Sequence, residues 1–259
     1  MLDLKNISQY YPVQLHPFKD FLLREYLQHK ILEVVYGSHH ASKLVFIGGT
    51  CLRILHNNQR FSEDIDFDNL GCTASDWVEL SHLIVSHLKK EGYEVEMKVL
   101  HKNAWHCYIR FPGILFAEGL SGFKEQKILI QLDVEPQGYD FIPEKKLLNK
   151  FDVFTDIITA PLPLLMAHKC YAVLNRPRNK GRDFFDIVFL MGLGIQPDIT
   201  FLNMKLGINS IPMLKKRLLN HVATLNMQEM VKDVSPFLFQ DKDLLKVERF
   251  SELVSDYWK

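Results

Sequence analysis

Asp64 and Asp66 stand two apart in SEDIDF, residues 62–67. On an extended strand, residues two apart point to the same face, so these carboxylates would project together. Like charges so placed repel unless a cation sits between them. Mg²⁺ or Mn²⁺ suits such a pair, because it takes oxygen ligands and keeps positions for water and phosphate oxygens. A D-x-D alone also occurs on ordinary exposed strands, but its context sharpens the reading. Lys43–Ile47 (KLVFI) reads as a short buried strand that ends in Gly48, Gly49 and Thr50, with a helix able to start directly after it. Glycine lets backbone approach a phosphate closely, and a helix start offers N–H groups and a positive dipole end. The plain alternative is a tight turn with no ligand. A third carboxylate, Asp133, lies in KILIQLDVE (Lys127–Glu135), where Ile128, Ile130, Leu132 and Val134 alternate with Leu129, Gln131 and Asp133. A charge in so apolar a strand needs a partner: a shared metal, an ion pair with Lys or Arg, or an exposed sheet face.

The elements that must position these groups follow from the hydrophobic period. Pro17–Tyr36 has mostly helical spacing, with Phe18, Phe21, Leu22, Leu27, Ile31, Leu32 and Val35 apolar. Ile65–Phe67 reads as a strand. Thr73-x-x-Asp76 resembles a capping box, opening a helix that would bury Trp77, Leu80, Leu83, Ile84 and Leu88 and stop at Gly92. The period then becomes two over Tyr93–Val99, and Trp105–Phe111 is another strand. After Pro161 and Pro163, helices are expected over Pro161–Leu174, Gly181–Met191, Ile211–Leu225 and Asp243–Tyr257. The expected class is α+β: a mixed sheet with flanking helices over residues 1–158, then a helical half over 159–259.

In order, these residues resemble a known family. GGTCLR at Gly48–Arg53, RFSEDIDF at Arg60–Phe67 and the later Asp133 resemble the nucleotidyltransferase fold of the DNA polymerase β superfamily, and more narrowly the AbiEii/AbiGii toxin family. Lys169 in LLMAHKCYAVL, the R-D-x-x-D of Arg182, Asp183 and Asp186, and VSPFL at Val234–Leu238 fit the same pattern, so the resemblance runs from about Val45 to the C-terminus. It implies attack by a hydroxyl on the α-phosphorus of a nucleoside triphosphate, with pyrophosphate leaving. It also implies roles. Asp64 and Asp66 would hold the metals, and Asp133 would bind the metal nearer the hydroxyl and accept its proton. Gly48, Gly49, Thr50, Arg53, Arg60, Lys169, Arg182 and Asp183 would lie on the nucleotide, with Lys169 and Asp186 also counted as catalytic. The helical half would complete the active-site cleft. For Lys169 the plain alternative is snorkelling from an apolar helix to solvent; for Asp183 and Asp186 it is orienting Lys169, Arg53 or Arg60.

Composition sets the remaining bounds. The 259 residues hold 31 Lys plus Arg against 31 Asp plus Glu, so no global basic field draws in nucleic acid. A local run, Arg176, Arg178, Lys180 and Arg182, is either an RNA or triphosphate contact or a charged loop. Cys51, Cys72, Cys107 and Cys170 form no C-x-x-C pair and read as free thiols, and neither a secretory signal nor a spanning apolar run is visible, so a cytoplasmic protein without a membrane partner is expected. The histidines form no H-E-x-x-H or Cys/His zinc spacing, and His39-His40 reads as loop. Three functions compete. The first is a toxin of a type IV-like toxin–antitoxin pair, using a nucleoside triphosphate on RNA such as a tRNA 3′ end and restrained by a cognate antitoxin protein. The second is an antibiotic-type transferase acting on a small molecule. The third is a nucleotide-binding regulator without turnover, which three metal ligands argue against.

Overall fold

The structure is a computed structural model that describes residues 2–101 and 104–259. It is α+β, and the chain forms two compact units: residues 1–51 with 62–159, and residues 52–61 with 160–259.

The first unit holds a mixed sheet of β1 (Leu44–Ile47), β2 (Ile65–Asn69), β3 (Glu96–His101), β4 (Trp105–Pro112), β5 (Lys127–Glu135), β6 (Glu144–Lys150) and β7 (Val153–Thr159). The strand order is β3-β4-β5-β2-β1-β7-β6. β2 lies between β1, antiparallel to it, and β5, parallel to it. The helices are α1 (Leu4–Ser8), α2 (Lys19–Tyr36), α3 (Gly48–His56), α4 (Ala74–Lys90) and α5 (Ile114–Ala117), with α3 passing into the second unit at Leu52. β1 is buried along its whole length, as its unbroken apolar run requires. In β5, Ile128, Ile130, Leu132 and Val134 are buried while Leu129, Gln131 and Asp133 are not. Thr73 and Asp76 close the expected capping box on α4, but Leu83 faces solvent at 42% exposure. The buried positions Trp77, Leu80, Ile84 and Leu88 recur every three to four residues, and Leu83 falls off that stripe.

α2 is buried almost all round, polar residues included. Three of the buried polar residues are matched across the fold. Gln28 donates to the carbonyls of Ser62 and Glu63, Lys150 donates to Glu25, and Lys30 pairs with Glu33 and Glu91. The hairpin β6–β7 has no counterpart in the sequence expectations. Leu147 and Phe154 are exposed, so its apolar residues do not alternate with burial, and its turn carries Phe151 rather than glycine at φ 61°. Phe151 sits among Tyr10, Tyr26 and His29 at ring separations of 4.9, 5.2 and 4.9 Å, and this packing holds the left-handed backbone in place.

The second unit is helical: α6 (Leu162–Asn175), α7 (Gly181–Gly192), α8 (Ile199–Leu206), α9 (Ile211–Val222), α10 (Met227–Val234), α11 (Leu245–Glu248) and α12 (Phe250–Tyr257). The single helix expected over Asp243–Tyr257 is broken at Arg249, and Val247 and Phe250 on either side of the break are both fully buried. α7 and α10 touch at Gly181, where a Cβ would lie 1.8 Å from the Met230 carbonyl oxygen; only glycine permits that approach. All four cysteines are buried thiols outside any disulfide. No helix of the described residues is long and apolar enough to cross a membrane.

Candidate active site

In the first unit, β1 delivers the chain to Gly48, whose φ of 81° is costly for any residue with a Cβ. A Cβ there would stand 2.1 Å from an Asp66 carboxylate oxygen. The β1–β2 register, with Ile47 opposite Asp66, is what brings the glycine turn onto that carboxylate. The turn and the D-x-D, separated by thirteen residues in sequence, are thus in contact. Thr50 is fully buried and its hydroxyl donates to the Asp64 carbonyl, pinning the first turn of α3 to the entry of β2. That hydroxyl is spent on architecture, and the first-turn N–H groups, which have no intrahelical acceptors, are what the turn can offer a phosphate.

Asp66 is the Cα partner of Asp133 in the parallel β2–β5 pair, so the two side chains stand side by side on one face. Asp64 precedes Asp66 by two residues, and Asp68 follows it by two. Asp68 is buried and accepts the Gln137 backbone N–H at 2.8 Å, a tie to the loop after β5. Asp133 is 28% exposed and accepts from both Gln131, at 2.8 and 2.9 Å, and His106 Nδ1, at 2.7 Å. His106 reaches it because β4 places His106 opposite Asp133. Sequence reasoning missed His106; a polar residue inside the strand Trp105–Phe111 was the available signal. The donor set of this row is all carboxylate oxygen, which fits Mg²⁺ or Mn²⁺. Among the described residues, the groups whose ligand atoms already lie within 4.8 Å of one another are His39–His40–Glu79 and Glu33–His87–Glu91, neither of which includes the row.

The second unit gathers the other expected residues. Asp186, fully buried on α7, accepts from Arg60 Nε and Nη2, both at 2.7 Å, and from Asn58 at 2.7 Å. Lys169 on α6 lies 2.8 Å from Asp186 and 3.0 Å from Asp183, and Arg176 completes Asp183 at 2.8 Å. Burial is the largest single influence on both Asp186 and Lys169 and opposes their charges. The mutual attractions outweigh it, so Asp186 is held below the usual carboxylate range and Lys169 above the usual lysine range. Lys169 therefore does not snorkel; its side chain is 13% exposed and anchored by two aspartates.

The segment around Arg60 is fixed from a distant stretch of sequence. Arg60 bridges to Leu238, and the Phe61 N–H donates to the Phe237 carbonyl at 2.8 Å, so VSPFL clamps the arginine in place. Arg53 donates to the Asn58 carbonyl at 3.0 Å and lies over the Phe239 ring at 4.7 Å. Arg182 lies over the Phe237 ring at 4.4 Å.

Residues 30–252 match the family described as nucleotidyl transferase AbiEii toxin, type IV toxin–antitoxin system. The chain belongs to the AbiEii family. As a member it is a nucleotidyltransferase, and the motif order Gly48–Arg53, Arg60–Phe67, Lys169 and R-D-x-x-D lies inside the matched region. None of the curated proteins matches the sequence. Among solved structures, the AbiEii chain is similar to JHP933 from Helicobacter pylori, with TM-score 0.54 and 17% identity over 91% of this chain and 92% of that one. It is also similar to a candidate nucleotidyltransferase from H. pylori, with TM-score 0.51 and 16% identity over 91% and 94% of the two chains. At such identities the likeness establishes the shared fold.

Proposed function

We propose that the chain is a metal-dependent toxin of a type IV-like toxin–antitoxin pair that transfers a nucleoside monophosphate from a nucleoside triphosphate to a hydroxyl of RNA, such as a tRNA 3′ end. The observation that carries the reading is the contact of Gly48 with Asp66, beside Asp133. It sets a phosphate-binding turn directly against a row of oxygen ligands.

Asp64, Asp66 and Asp133 would hold Mg²⁺ or Mn²⁺, which supplies charge neutralisation for the phosphates and the attacking oxygen. The turn Gly48–Thr50 binds the triphosphate through its backbone N–H groups. Asp133 orients the acceptor hydroxyl and takes its proton as the oxygen–α-phosphorus bond forms and the bond to pyrophosphate breaks. His106 and Gln131 hold Asp133 in position for that step. In the second unit, Arg60, Lys169 and Arg176 outnumber Asp183 and Asp186, leaving an excess of positive charge suited to phosphate. Asp183 and Asp186 position Lys169 and Arg60, and Arg53 and Arg182 complete the basic surroundings. The exposed Arg176 and Arg178 support an RNA backbone as acceptor over a cationic small molecule.

The test is incubation with Mg²⁺, each α-labelled nucleoside triphosphate and total RNA, beside the Asp66→Ala variant. Label should enter RNA with the native chain and not with the variant. Transfer to a small molecule alone would replace the acceptor, and equal transfer by Asp66→Ala would remove the metal assignment.

A further inference from the structure

The histidine pair lies in the turn before β1, the loop position expected for it. His40 is 1% exposed, yet neither of its ring nitrogens makes a hydrogen bond. A fully buried imidazole without partners is costly, so each unused nitrogen calls for an explanation. His40 Nε2 lies 3.5 Å from one oxygen of Glu79, and His39 Nε2 lies 3.4 Å from the other. The donor atoms of these three side chains lie within 4.8 Å of one another. A tetrahedral ion with nitrogen and oxygen ligands at about 2.0–2.2 Å spaces those ligands about 3.3–3.5 Å apart. Each nitrogen–oxygen separation matches the spacing of ligands around an ion better than that of a hydrogen bond.

The second nitrogen of His40 has its own carboxylate. Asp76 Oδ1 faces Nδ1 at 3.7 Å, while Asp76 Oδ2 accepts from Lys43 at 2.7 Å and from the Thr73 N–H at 2.9 Å. At 3.7 Å this is not a hydrogen bond, but it places a carboxylate on the side where a metal-bound His40 would carry its Nδ1 proton. A comparison inside the same unit sharpens the point. Glu33, His87 and Glu91 also form a compact group, but Lys30 Nζ already sits 2.8 Å from Glu33 and 2.9 Å from Glu91, so a cation is built in. At His39–His40–Glu79 the near cation, Lys43, is bonded to Asp76 instead.

We propose that His39, His40 and Glu79 bind one transition-metal ion of the zinc class, with Asp76 orienting His40. Two imidazoles and one carboxylate select Zn²⁺ over Mg²⁺, which prefers oxygen throughout. His39 and Glu79 side chains are 68% and 59% exposed, so water completes the coordination. The ion fastens α4 to the turn that leads into β1, the strand that ends at Gly48.

The test uses the full-length protein, stripped with a chelator and dialysed against Zn²⁺ in excess Mg²⁺, with metal content measured by elemental analysis and ligand geometry by Co²⁺ visible absorption. The native chain should retain one Zn²⁺ and show intense tetrahedral Co²⁺ bands, and so should an Asp64→Asn, Asp66→Asn double variant. Glu79→Gln and His39→Gln, both at exposed positions, should weaken binding at least about 100-fold, since even outer partners of a metal site cost 10–100-fold. His40→Gln should do the same. The proposal is overturned if the native chain retains no stoichiometric Zn²⁺, if Glu79→Gln and His39→Gln bind as tightly as native, or if binding disappears in the Asp64, Asp66 double variant.

Discussion

Acidic residues meet opposite conditions in the two units. In the sheet, Asp133 is 28% exposed and is held by His106 and Gln131, neither a permanent cation. In the helical unit, Asp186 is fully buried and bonded to Arg60, Asn58 and Lys169. A carboxylate whose charge is neutralised inside the protein has little left for a metal, whereas a partly exposed one without a permanently charged partner keeps its charge for an incoming cation. Family resemblance groups Asp133 and Asp186 together as catalytic; their surroundings differ, and under the proposed function that difference assigns Asp133 to metal binding and Asp186 to positioning.

The largest expected effect comes from breaking the buried lattice. Asp186→Leu strands Arg60 and Lys169 without their shared carboxylate, and removing one member of a buried pair costs about 3–5 kcal/mol. Chemical denaturation should show that loss, with activity falling because the second unit unfolds. A native midpoint with activity lost would mean that Asp186 acts on substrate, and the contrast between the two regions would fail. Next in size is the row itself. Asp66→Asn should lower transfer by about 1000-fold, comparable to removing a preorganised electrostatic group, while leaving the denaturation midpoint nearly unchanged. Gly48→Ala should lower transfer by a different route, since its Cβ would displace the Asp66 carboxylate. A large loss of stability in Asp66→Asn would put the row on the structural side of the comparison.

How much of this was legible in the sequence divides along the same line. The β5 alternation, the α4 capping box and the strand ending at Gly48 follow from local period and turn chemistry, whereas the shared face of Asp66 and Asp133 comes from the β2–β5 register. The contact of Gly48 with Asp66 is implied by strand adjacency but requires the register to prove it. The lattice was readable only as a set of residue types. Nothing local says that Arg60 pairs with a residue 126 positions away, or that VSPFL clamps it. His106 was missed because its meaning comes from the β4–β5 register, and β6–β7 because exposed Leu147 and Phe154 blur its alternation and its turn lacks glycine.

A pH experiment probes the helical unit alone. Burial, with Lys169 and Lys205 adding to it, pulls His168 down to about 4, and its Nε2 has no hydrogen-bond partner. Its folded pKa is below the unfolded value near 6.5, so the unfolded state binds more protons between the two. Stability tied to a neutral His168 is therefore full above about pH 6.5 and lost as pH falls toward 4, on the order of 3 kcal/mol in all. His168→Leu should flatten that part of the stability–pH curve. An equally steep curve in the variant would assign the acid sensitivity to other groups.

The smallest effect tests the softer end of the comparison. His106 donates one hydrogen bond, at 2.7 Å with its proton on Nδ1, to a carboxylate that Gln131 also holds. Losing it should not unfold a side-chain pair that is about one quarter exposed on each partner. It should instead loosen the orientation of Asp133, which matters only when a cation must be gripped. His106→Leu is then expected to raise the Mg²⁺ concentration for half-maximal transfer by about 10-fold, the low end for a lost outer partner of a metal site. Mn²⁺ binding followed by electron paramagnetic resonance should weaken in parallel, with the denaturation midpoint held within about 0.5 kcal/mol of native as for a surface change. Unchanged Mn²⁺ affinity would reduce His106 to a bystander. A large drop in stability would show that the row, like the lattice, is held together by its own bonds.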